Sequence, residues 1–318
     1  YVTYKPKYME TVWWLIKSIS EKGLLYKGYT VQPYSPAAGS GLSSHELNQP
    51  GAYKQISDTS VIAQFKCVED DTSAKFNSLY PFYFLAWTTT PWTLPSNTAL
   101  TVGAKIEYSF IKTFNQYTKE KTTVVVASSL IEKVFAKNFF IVKHEDELET
   151  FQESDSKIPY CVITSCKGID IENLKYERVW DESPLPIDNP ENAFRVILGD
   201  FVTTEDGTGI VHTAPTFGAD DYKAAKSATP EVPPLQVLDS NGNKIPLVDL
   251  KGKFIDGIGM ISGKYVKNEY YEEEDVPEKS VDVEIAIRLK EKNLAFKVER
   301  YSHSYPHCWR TDKPVLYY

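Results

Sequence analysis

The stretch Trp87-Thr-Thr-Thr-Pro-Trp-Thr-Leu-Pro-Ser-Asn97 places hydroxyl side chains directly after a strand-like run that begins at Tyr80. Pro91 has no backbone N–H and fixes its own φ, so the chain must leave a sheet at this point. The threonine hydroxyls and the freed N–H groups would then face whatever lies at the strand end. Such groups suit the oxygens of an ester or a ribose, although three threonines in a row also simply favour a strand.

A second informative stretch is Gly207-Thr-Gly-Ile-Val-His-Thr-Ala-Pro-Thr-Phe-Gly-Ala-Asp-Asp-Tyr222. Its three glycines indicate tight turns or close backbone approach on both sides of His212. Asp220 and Asp221 stand at the predicted start of a helix, where the helix dipole favours a carboxylate and the side chain can cap. Taken alone, each residue is explained by a packed histidine and a helix cap. Together with the threonines, they predict the walls of one small hydrolytic pocket.

Short β-branched and aromatic runs recur between turn signals through most of the chain, and few segments have helical spacing. This pattern predicts an α+β fold, mostly β, with a barrel-like core and peripheral helices, since closure of a sheet removes its unpaired edges. The predicted strands are Val61 to Val68, Tyr80 to Trp87, Ile106 to Thr113, Thr122 to Ala127, Phe139 to Lys143, Tyr160 to Ser165, Val196 to Val202, Gly209 to His212 and Ala295 to Val298.

The two ends of the chain predict a stalk. Residues 8–22 carry apolar side chains on one helical face, and Gly23 is a typical helix stop. Leu24 to Pro33 alternates as a strand does, and Tyr301 to Tyr318 is the expected return segment. We therefore expect a two-segment stalk, 1–58 and 295–318, around a main domain, 59–294. The missing initiator Met and the strand-like last residues predict that the chain is a piece excised from a longer polypeptide.

Composition excludes several classes of protein. No window approaches 18 consecutive apolar residues, so we expect no membrane span. The formal charge of −8 does not favour a polyanionic partner, but cationic residues gather between Arg288 and Lys313, so net charge does not decide the question. Four scattered cysteines predict reduced thiols in a cytoplasmic protein. The sequence contains no P-loop, no Rossmann glycine pattern, no G-x-S-x-G and no H-E-x-x-H, motifs that would indicate other chemistries.

The pair WTTTPWTLPSN and GTGIVHTAPTFGADDY resembles the editing domain of isoleucyl-tRNA synthetases, the connective polypeptide 1 insertion in the class I catalytic fold. The resemblance covers nearly the whole chain, because residues 8–14 and 303–310 look like the stalks that enter and leave the insertion. Valyl and leucyl enzymes have a T-T-R-P-E-T pattern where Thr90-Pro-Trp-Thr93 stands here, and this difference favours isoleucine specificity.

Two departures from the family pattern qualify the resemblance. The adenylation signatures HIGH and KMSKS are absent, so we expect no isoleucine activation and no tRNA charging. Many bacterial relatives carry CxxC pairs in the stalks. Here Cys308-Trp-Arg-Thr311 keeps one cysteine and Pro33-Tyr-Ser-Pro36 keeps none, which predicts no zinc and the eukaryotic cytosolic type.

The resemblance also implies a role for each site residue. Asp221 would hold the α-ammonium of the misattached amino acid, with Asp220 the weaker candidate. His212 would form the wall that admits valine and resists isoleucine. Thr88, Thr89 and Thr90 would surround the ester and the terminal ribose, Thr93 the amino acid, and Asn97 would orient water or substrate.

The implied function is post-transfer editing, the hydrolysis of mischarged valyl-tRNA(Ile) by water, with hydroxyls of the terminal adenosine assisting and with neither a metal ion, a cofactor nor a covalent enzyme intermediate. The expected partners are the valine-bearing 3′ end of tRNA(Ile) and the rest of the synthetase chain, and the fragment is expected to be monomeric. A tRNA-docking insertion module with decayed editing activity and a purely structural insertion are the alternatives.

Overall fold

The structure is a computed structural model of the chain and describes residues 2–26, 28 and 30–318. The chain divides into two compact units, Tyr1–Thr30 and Val31–Tyr318. The helices are α1 Pro6–Glu21, α2 Ser44–Leu47, α3 Ile131–Val134, α4 Ala219–Ser227 and α5 Val281–Glu291. The strands are β1 Pro33–Ser35, β2 Ser40–Gly41, β3 Tyr53–Lys66, β4 Phe82–Thr88, β5 Ala99–Val102, β6 Glu107–Phe114, β7 Lys121–Ala127, β8 Phe139–Ile141, β9 Ile158–Lys167, β10 Arg195–Leu198, β11 Ile210–Thr213, β12 Val237–Leu238, β13 Lys244–Ile245, β14 Ala295–Pro306 and β15 Leu316–Tyr317.

The first unit is dominated by α1, which confirms the predicted N-terminal helix. Pro6 occupies its first position, where a missing N–H costs nothing. The helix ends as predicted at Gly23, whose φ of +70° lets the Gly23 N–H reach Ser20 O and the Leu24 N–H reach Ile19 O. None of the residues of α1 is buried.

The strand predicted over Leu24 to Pro33 is wrong for the residues of that stretch that the structure describes, because strand structure begins only at Pro33. Residues 27 and 29 lie outside the described residues. An alternating pattern makes a strand only where a partner supplies hydrogen bonds. Here the partner is β15, which reaches no further back than Gln32 and Pro33.

The second unit is built on a ten-stranded sheet, which confirms a mostly β fold with helices at its periphery. Eight of its strands follow one path in the order β10, β5, β11, β4, β7, β6, β9 and β8, and β3 and β14 extend it from β4. β1, β2 and β15 form a separate small sheet. β12 and β13 form a short hairpin around Asn241-Gly242, a dipeptide that favours tight hairpin turns.

The sheet divides at β4 and does not close into a barrel. One edge of β4 pairs with β3 over six registered positions, from Lys66↔Tyr83 to Val61↔Thr88. Its other edge pairs with β7 at the start of the strand and with β11 at Trp87. Among the described residues no ladder joins β8, β10 and β14, so the closed core predicted from edge avoidance is wrong. The edge strands β8 and β10 are instead very short, which also limits exposed edges.

β3 and β14 form a long antiparallel ribbon from Ala63↔Ala295 to Tyr53↔Pro306. The predicted strand Ala295 to Val298 is therefore only the first part of β14. The expected boundary between 58 and 59 falls inside β3, and the proposed separation of a stalk from a main domain stays a prediction.

The main core lies on the sheet and is rich in aromatic side chains, with Phe82, Phe84 and Phe110 completely buried. α5 buries Ile285 and Leu289 in this core. α4 packs Ala224 and Ala225 against a smaller cluster. These contacts fix the two helices that lie next to the threonine-rich and glycine-rich stretches.

Candidate functional site

The threonine-rich stretch turns back on itself at the end of β4. Pro91–Ser96 forms a 3-10 helix immediately after the strand. The Thr90 N–H donates to Thr88 Oγ1 at 3.0 Å, and the Thr93 hydroxyl donates to Thr90 O at 2.8 Å. The three side chains therefore gather at the strand end, as Pro91 predicts.

The two signature stretches are neighbours in the sheet. Val211 of β11 pairs with Trp87 of β4, and His212 pairs with Leu100 of β5. A cavity of about 270 Å³ lies beside this junction. Its lining residues are Trp87, Thr88, Thr89, Thr90, Thr93, Val211, His212, Ala214, Phe217, Gly218 and Asp221.

His212 is buried and held at both ring nitrogens. Nε2 lies 3.0 Å from Thr93 Oγ1, and Nδ1 lies 2.8 Å from Asn97 Nδ2. Burial lowers the pKa of His212 to about 3, because the charged form is poorly solvated there. The imidazole is therefore neutral at physiological pH and fixed in orientation.

Asn97 lies behind the cavity rather than in its lining. It is 5% exposed, and its Nδ2 donates to Ala99 O at 2.8 Å as well as to His212. Its Oδ1 accepts a hydrogen bond of 2.7 Å from the Tyr176 hydroxyl. Both ends of its amide are engaged, and Asn97 contacts His212. The role expected from the sequence, orienting water or substrate, stays a prediction.

Tyr176 is a residue that the sequence reasoning missed. It is completely buried in the core, and no motif marks it. It lies 79 positions from Asn97 in sequence, so only the fold brings the two together.

Asp221 lies in the first turn of α4 and lines the cavity. Its Oδ2 accepts the Ala214 N–H at 2.9 Å, while its Oδ1 has no hydrogen bond to any residue that the structure describes. Burial raises the pKa of Asp221 to about 6, opposed in part by the Ala214 N–H. At neutral pH the side chain is therefore an ionised carboxylate with one oxygen available to a ligand.

Asp220 differs sharply from its neighbour. Its side chain is 65% exposed and pairs with Lys223 across one turn of α4 at 3.1 Å. It is not part of the cavity lining. The structure thus separates the two aspartates that the sequence left as alternatives.

All the residues assigned to the site from the sequence, except Asn97, line this one cavity. It combines a carboxylate, several hydroxyls and apolar surface from Trp87, Val211 and Phe217. Such a lining suits a ligand that presents an ammonium group, polar oxygens and a small apolar group.

A larger cavity of about 870 Å³ lies elsewhere and contains none of those residues. Four of its charged residues form two ion pairs, Lys66 with Glu177 and Lys292 with Asp181. Volume alone therefore does not mark the chemical site.

Two features are absent from the described part of the chain, residues 2–26, 28 and 30–318. No group of three or more His, Cys, Asp or Glu side chains is arranged to hold a metal ion. No helix is long and apolar enough to cross a membrane.

Residues 1–132 match the family model described as tRNA synthetases class I (I, L, M and V). The chain is a class I tRNA synthetase region. Within that class it is similar along its whole length to isoleucine–tRNA ligases. It is 51% identical over 330 residues to the isoleucine–tRNA ligase of Cytophaga hutchinsonii and 50% identical over 335 residues to that of Bacteroides fragilis.

The isoleucine–tRNA ligase of Treponema denticola is 37% identical over 334 residues. The chain spans 28% of the Cytophaga and Bacteroides relatives and 26% of the Treponema one. These relatives are bacterial, so they give no support to the expected eukaryotic cytosolic type.

Two solved structures show a more distant likeness. The chain matches GlLeuRS-CP1 with a TM-score of 0.48 and 14% identity, over 77% of this chain and 98% of that one. It matches the Plasmodium knowlesi cytosolic leucyl-tRNA synthetase editing domain with a TM-score of 0.37 and 13% identity, over 52% and 60% of the two chains.

Proposed function

We propose that the chain is the editing domain of an isoleucine–tRNA ligase and hydrolyses the ester bond of valyl-tRNA(Ile). Water attacks the ester carbonyl without a metal ion or a covalent enzyme intermediate. The observation that carries the proposal is the position of Asp221, whose carboxylate shares one cavity with the hydroxyls of Thr88, Thr89 and Thr90. The whole-chain similarity to isoleucine–tRNA ligases supports the choice of tRNA.

Asp221 supports recognition of the amino acid. An α-ammonium group has three donors and no acceptor, and Asp221 Oδ1 is a free acceptor on a partly desolvated carboxylate. A charge-assisted bond in such surroundings is stronger than one in water. We assign the ammonium to Asp221, and the exposed, Lys223-paired Asp220 has no such role.

His212 supports discrimination by size. Its ring is fixed between Thr93 and Asn97, so the wall that it forms yields little to a larger side chain. A second sieve is needed because one methylene changes binding by only about 1–3 kcal/mol, as is known for enzymes of this type. We propose that the site admits valine and that the imidazole obstructs the extra methylene of isoleucine.

The hydroxyls of Thr88, Thr89 and Thr90 would hold the ester and the terminal ribose. His212 is a poor candidate for a general base, because its pKa is low and both of its ring nitrogens are hydrogen-bonded. We therefore assign assistance of the attacking water to hydroxyls of the terminal adenosine. Thr93, whose hydroxyl is engaged with Thr90 O, would contact the amino-acid side chain.

The partners in this proposal are the 3′ end of tRNA(Ile) and the rest of the synthetase chain, in the cytoplasm. A tRNA-docking module with decayed activity is the competing function. The intact arrangement of Asp221, the threonines and His212 around one cavity favours hydrolysis, since docking alone does not require it.

The test is deacylation of valyl-tRNA(Ile) and isoleucyl-tRNA(Ile) by this chain at high protein concentration. Valyl-tRNA(Ile) should be cleaved well above the rate in buffer, and isoleucyl-tRNA(Ile) should not. Binding of either tRNA without any cleavage would support the docking module and overturn the hydrolase.

The matched pair Asp221→Ala and Asp220→Ala tests the ammonium site. Asp221→Ala should reduce valyl-tRNA(Ile) cleavage by about 10- to 150-fold, the worth of a charged hydrogen bond. Asp220→Ala should be much milder, because its side chain faces solvent. Equal losses would remove the distinction between the two residues.

A further inference from the structure

A chain of hydrogen bonds runs from the core to the cavity wall. The Tyr176 hydroxyl donates to Asn97 Oδ1 at 2.7 Å, and Asn97 Nδ2 lies 2.8 Å from His212 Nδ1. On the other side of the ring, His212 Nε2 lies 3.0 Å from Thr93 Oγ1, and the Thr93 hydroxyl donates to Thr90 O. Of these residues only Tyr176 lies outside the two stretches Trp87–Asn97 and Gly207–Tyr222.

The orientation of the Asn97 amide is determined by its surroundings. Ala99 O lies 2.8 Å from Nδ2, and a carbonyl oxygen can only accept, so the nitrogen of the amide must face it. The same nitrogen then faces His212 Nδ1. That leaves Oδ1 for Tyr176, whose hydroxyl can serve as the donor.

The amide orientation in turn determines the tautomer of the imidazole. Because Asn97 Nδ2 donates, His212 Nδ1 must accept and cannot carry the proton. The neutral ring therefore carries its proton on Nε2 and donates it to Thr93 Oγ1. Thr93 can accept this bond because its own hydroxyl proton is given to Thr90 O.

Tyr176 is itself rigidly held. Its ring packs edge-on against Phe65, with ring centroids 5.3 Å apart, and against Phe194 at 6.4 Å. Its backbone N–H donates to Phe194 O at 3.0 Å. Burial keeps the pKa of Tyr176 well above its usual value, so the hydroxyl stays protonated and remains a donor.

We propose that Tyr176 is a positioning residue, which together with Ala99 O holds the Asn97 amide and so keeps His212 in one rotamer and in the Nε2–H tautomer. This arrangement sets the position of the cavity wall. A second part of the inference rests on the proposed function: by fixing this wall, Tyr176 determines how strictly the site excludes isoleucyl-tRNA(Ile). A wall group must be held within a fraction of an ångström to discriminate by one methylene.

The primary test is independent of activity. Nitrogen-15 NMR of histidine-labelled protein reports the protonation of each ring nitrogen, and the spectrum of His212→Ala assigns the His212 signals. The wild-type chain should show protonated Nε2 and unprotonated Nδ1. Tyr176→Phe removes one of the two groups that hold the Asn97 amide. Ala99 O still faces Nδ2, but Oδ1 is then buried without a donor, so the His212 signals should move from those of a single Nε2–H tautomer toward an average of the two.

Two further variants complete the test. Tyr305→Phe removes another buried hydroxyl, one that donates to Val315 O at 3.1 Å, and should leave the His212 signals unchanged. Asn97→Asp replaces the donor with an acceptor of the same shape and should move the proton to Nδ1, which keeps the proposal testable if Tyr176→Phe folds poorly. A single Nε2–H tautomer in folded Tyr176→Phe would overturn the role of Tyr176, and one in Asn97→Asp would overturn the proposal by showing that Asn97 does not set the tautomer.

Cleavage rates distinguish a failure of the proposed function from a failure of the proposal for Tyr176. In Tyr176→Phe the ratio of isoleucyl- to valyl-tRNA(Ile) cleavage, compared as kcat/KM, should rise several-fold, while KM for the valyl ester changes little because Asp221 still binds the ammonium. If the wild-type chain cleaves neither ester, the proposed function fails, and the NMR result still decides whether Tyr176 positions His212. An unchanged ratio alongside an altered tautomer would remove the link to size exclusion.

Discussion

The backbone N–H of Trp92 donates to Oδ1 of Asp282 at 2.9 Å and so ties the Pro91–Ser96 turn to α5. Asp282 is buried, and its Oδ2 lies 3.8 Å from Lys267 Nζ, which also bonds Asp58 Oδ2 at 2.7 Å. Burial raises the pKa of Asp282 to about 6. Burial also acts to lower the pKa of Lys267, but the two nearby carboxylates outweigh it and raise that pKa above its usual value. Through Asp58, Lys267 and Asp282, β3 is thus connected to the turn that presents Thr93.

Asp282→Ala should destabilise the fold by about 3–5 kcal/mol. The substitution leaves the Trp92 N–H unpaired and removes one of the two carboxylates that neutralise buried Lys267, and breaking a buried ion pair typically costs that much. Urea unfolding followed by tryptophan fluorescence measures the change. Asp282→Asn retains an oxygen that accepts the Trp92 N–H and should therefore lose less stability than Asp282→Ala. A loss below about 1 kcal/mol in Asp282→Ala would show that Asp58 alone satisfies Lys267.

Asp221 makes stability depend on pH. Its pKa in the fold is about 6, above the usual 3.8. Between about pH 4 and pH 6 the unfolded chain is therefore ionised at this position while the folded chain is protonated, and the free energy of unfolding falls as pH rises through this window. Asp282 shifts in the same direction, so the contribution of Asp221 is measured as a difference from Asp221→Asn.

Asp221→Asn should gain stability relative to the wild type as pH rises from 4 to 7, by on the order of 1–3 kcal/mol. Urea unfolding of both proteins at pH 4, 5, 6 and 7 gives the difference at each pH. A constant difference across the four values would mean that the carboxylate is solvated well enough to titrate normally. Exposed Asp220 provides the control, because Asp220→Asn should leave the pH dependence close to that of the wild type.

His212→Ala should make isoleucyl-tRNA(Ile) a substrate. Removal of the ring opens the cavity toward Asn97, so the exclusion of one methylene, worth about 10- to 200-fold, should largely disappear. Deacylation of both esters measures the ratio. His303→Ala is a suitable control, since His303 lies on β14 beside Asp58 and not in the cavity. Unchanged discrimination in His212→Ala would assign the size limit to another lining residue.

The sequence predicted most strands of the large sheet because their preference is local. β4, β6 and β7 are β-branched and aromatic runs, and such residues favour a pleated, half-buried surface wherever they pair. The first half of β3 escaped prediction because Tyr53 to Ser60 is mostly polar and its first six residues, Tyr53 to Asp58, are exposed or only partly buried. That segment is a strand because β14 lies alongside it, and partners 239 (Ser60↔Glu299) to 253 (Tyr53↔Pro306) positions away leave no local signal.

Closure of the sheet could not be judged from the strands alone. It depends on how each strand shares its two edges, and β4 divides one edge between β7 and β11. The site shows the same limit. Motifs located His212, Asp221 and the threonines, but nothing local marks Tyr176 or Asp282, which support the site by bonds across the fold.

Gly209 gives a final prediction, which separates backbone strain from crowding. The glycine precedes β11 with a φ of +74°, a conformation that L-residues seldom adopt, and a Cβ added there would lie 2.4 Å from Ala127 Cβ. Its carbonyl also accepts the buried Tyr108 hydroxyl at 2.7 Å, so the backbone cannot shift freely. Gly209→Ala should therefore cost about 2–6 kcal/mol, from the strained φ and from overpacking together.

Gly242→Ala is the matched control, since Gly242 has a φ of +79° and no atom within 4 Å of its added Cβ. Gly242→Ala should lose only the roughly 1–2 kcal/mol of stability that alanine costs in a left-handed backbone conformation. The difference between the two variants in urea unfolding then measures the steric part. If Gly209→Ala lost no more stability than Gly242→Ala, β7 would have to move at Ala127. The close contact between Gly209 and Ala127 would then not be what fixes β11 beside β4 and holds His212 against Thr93.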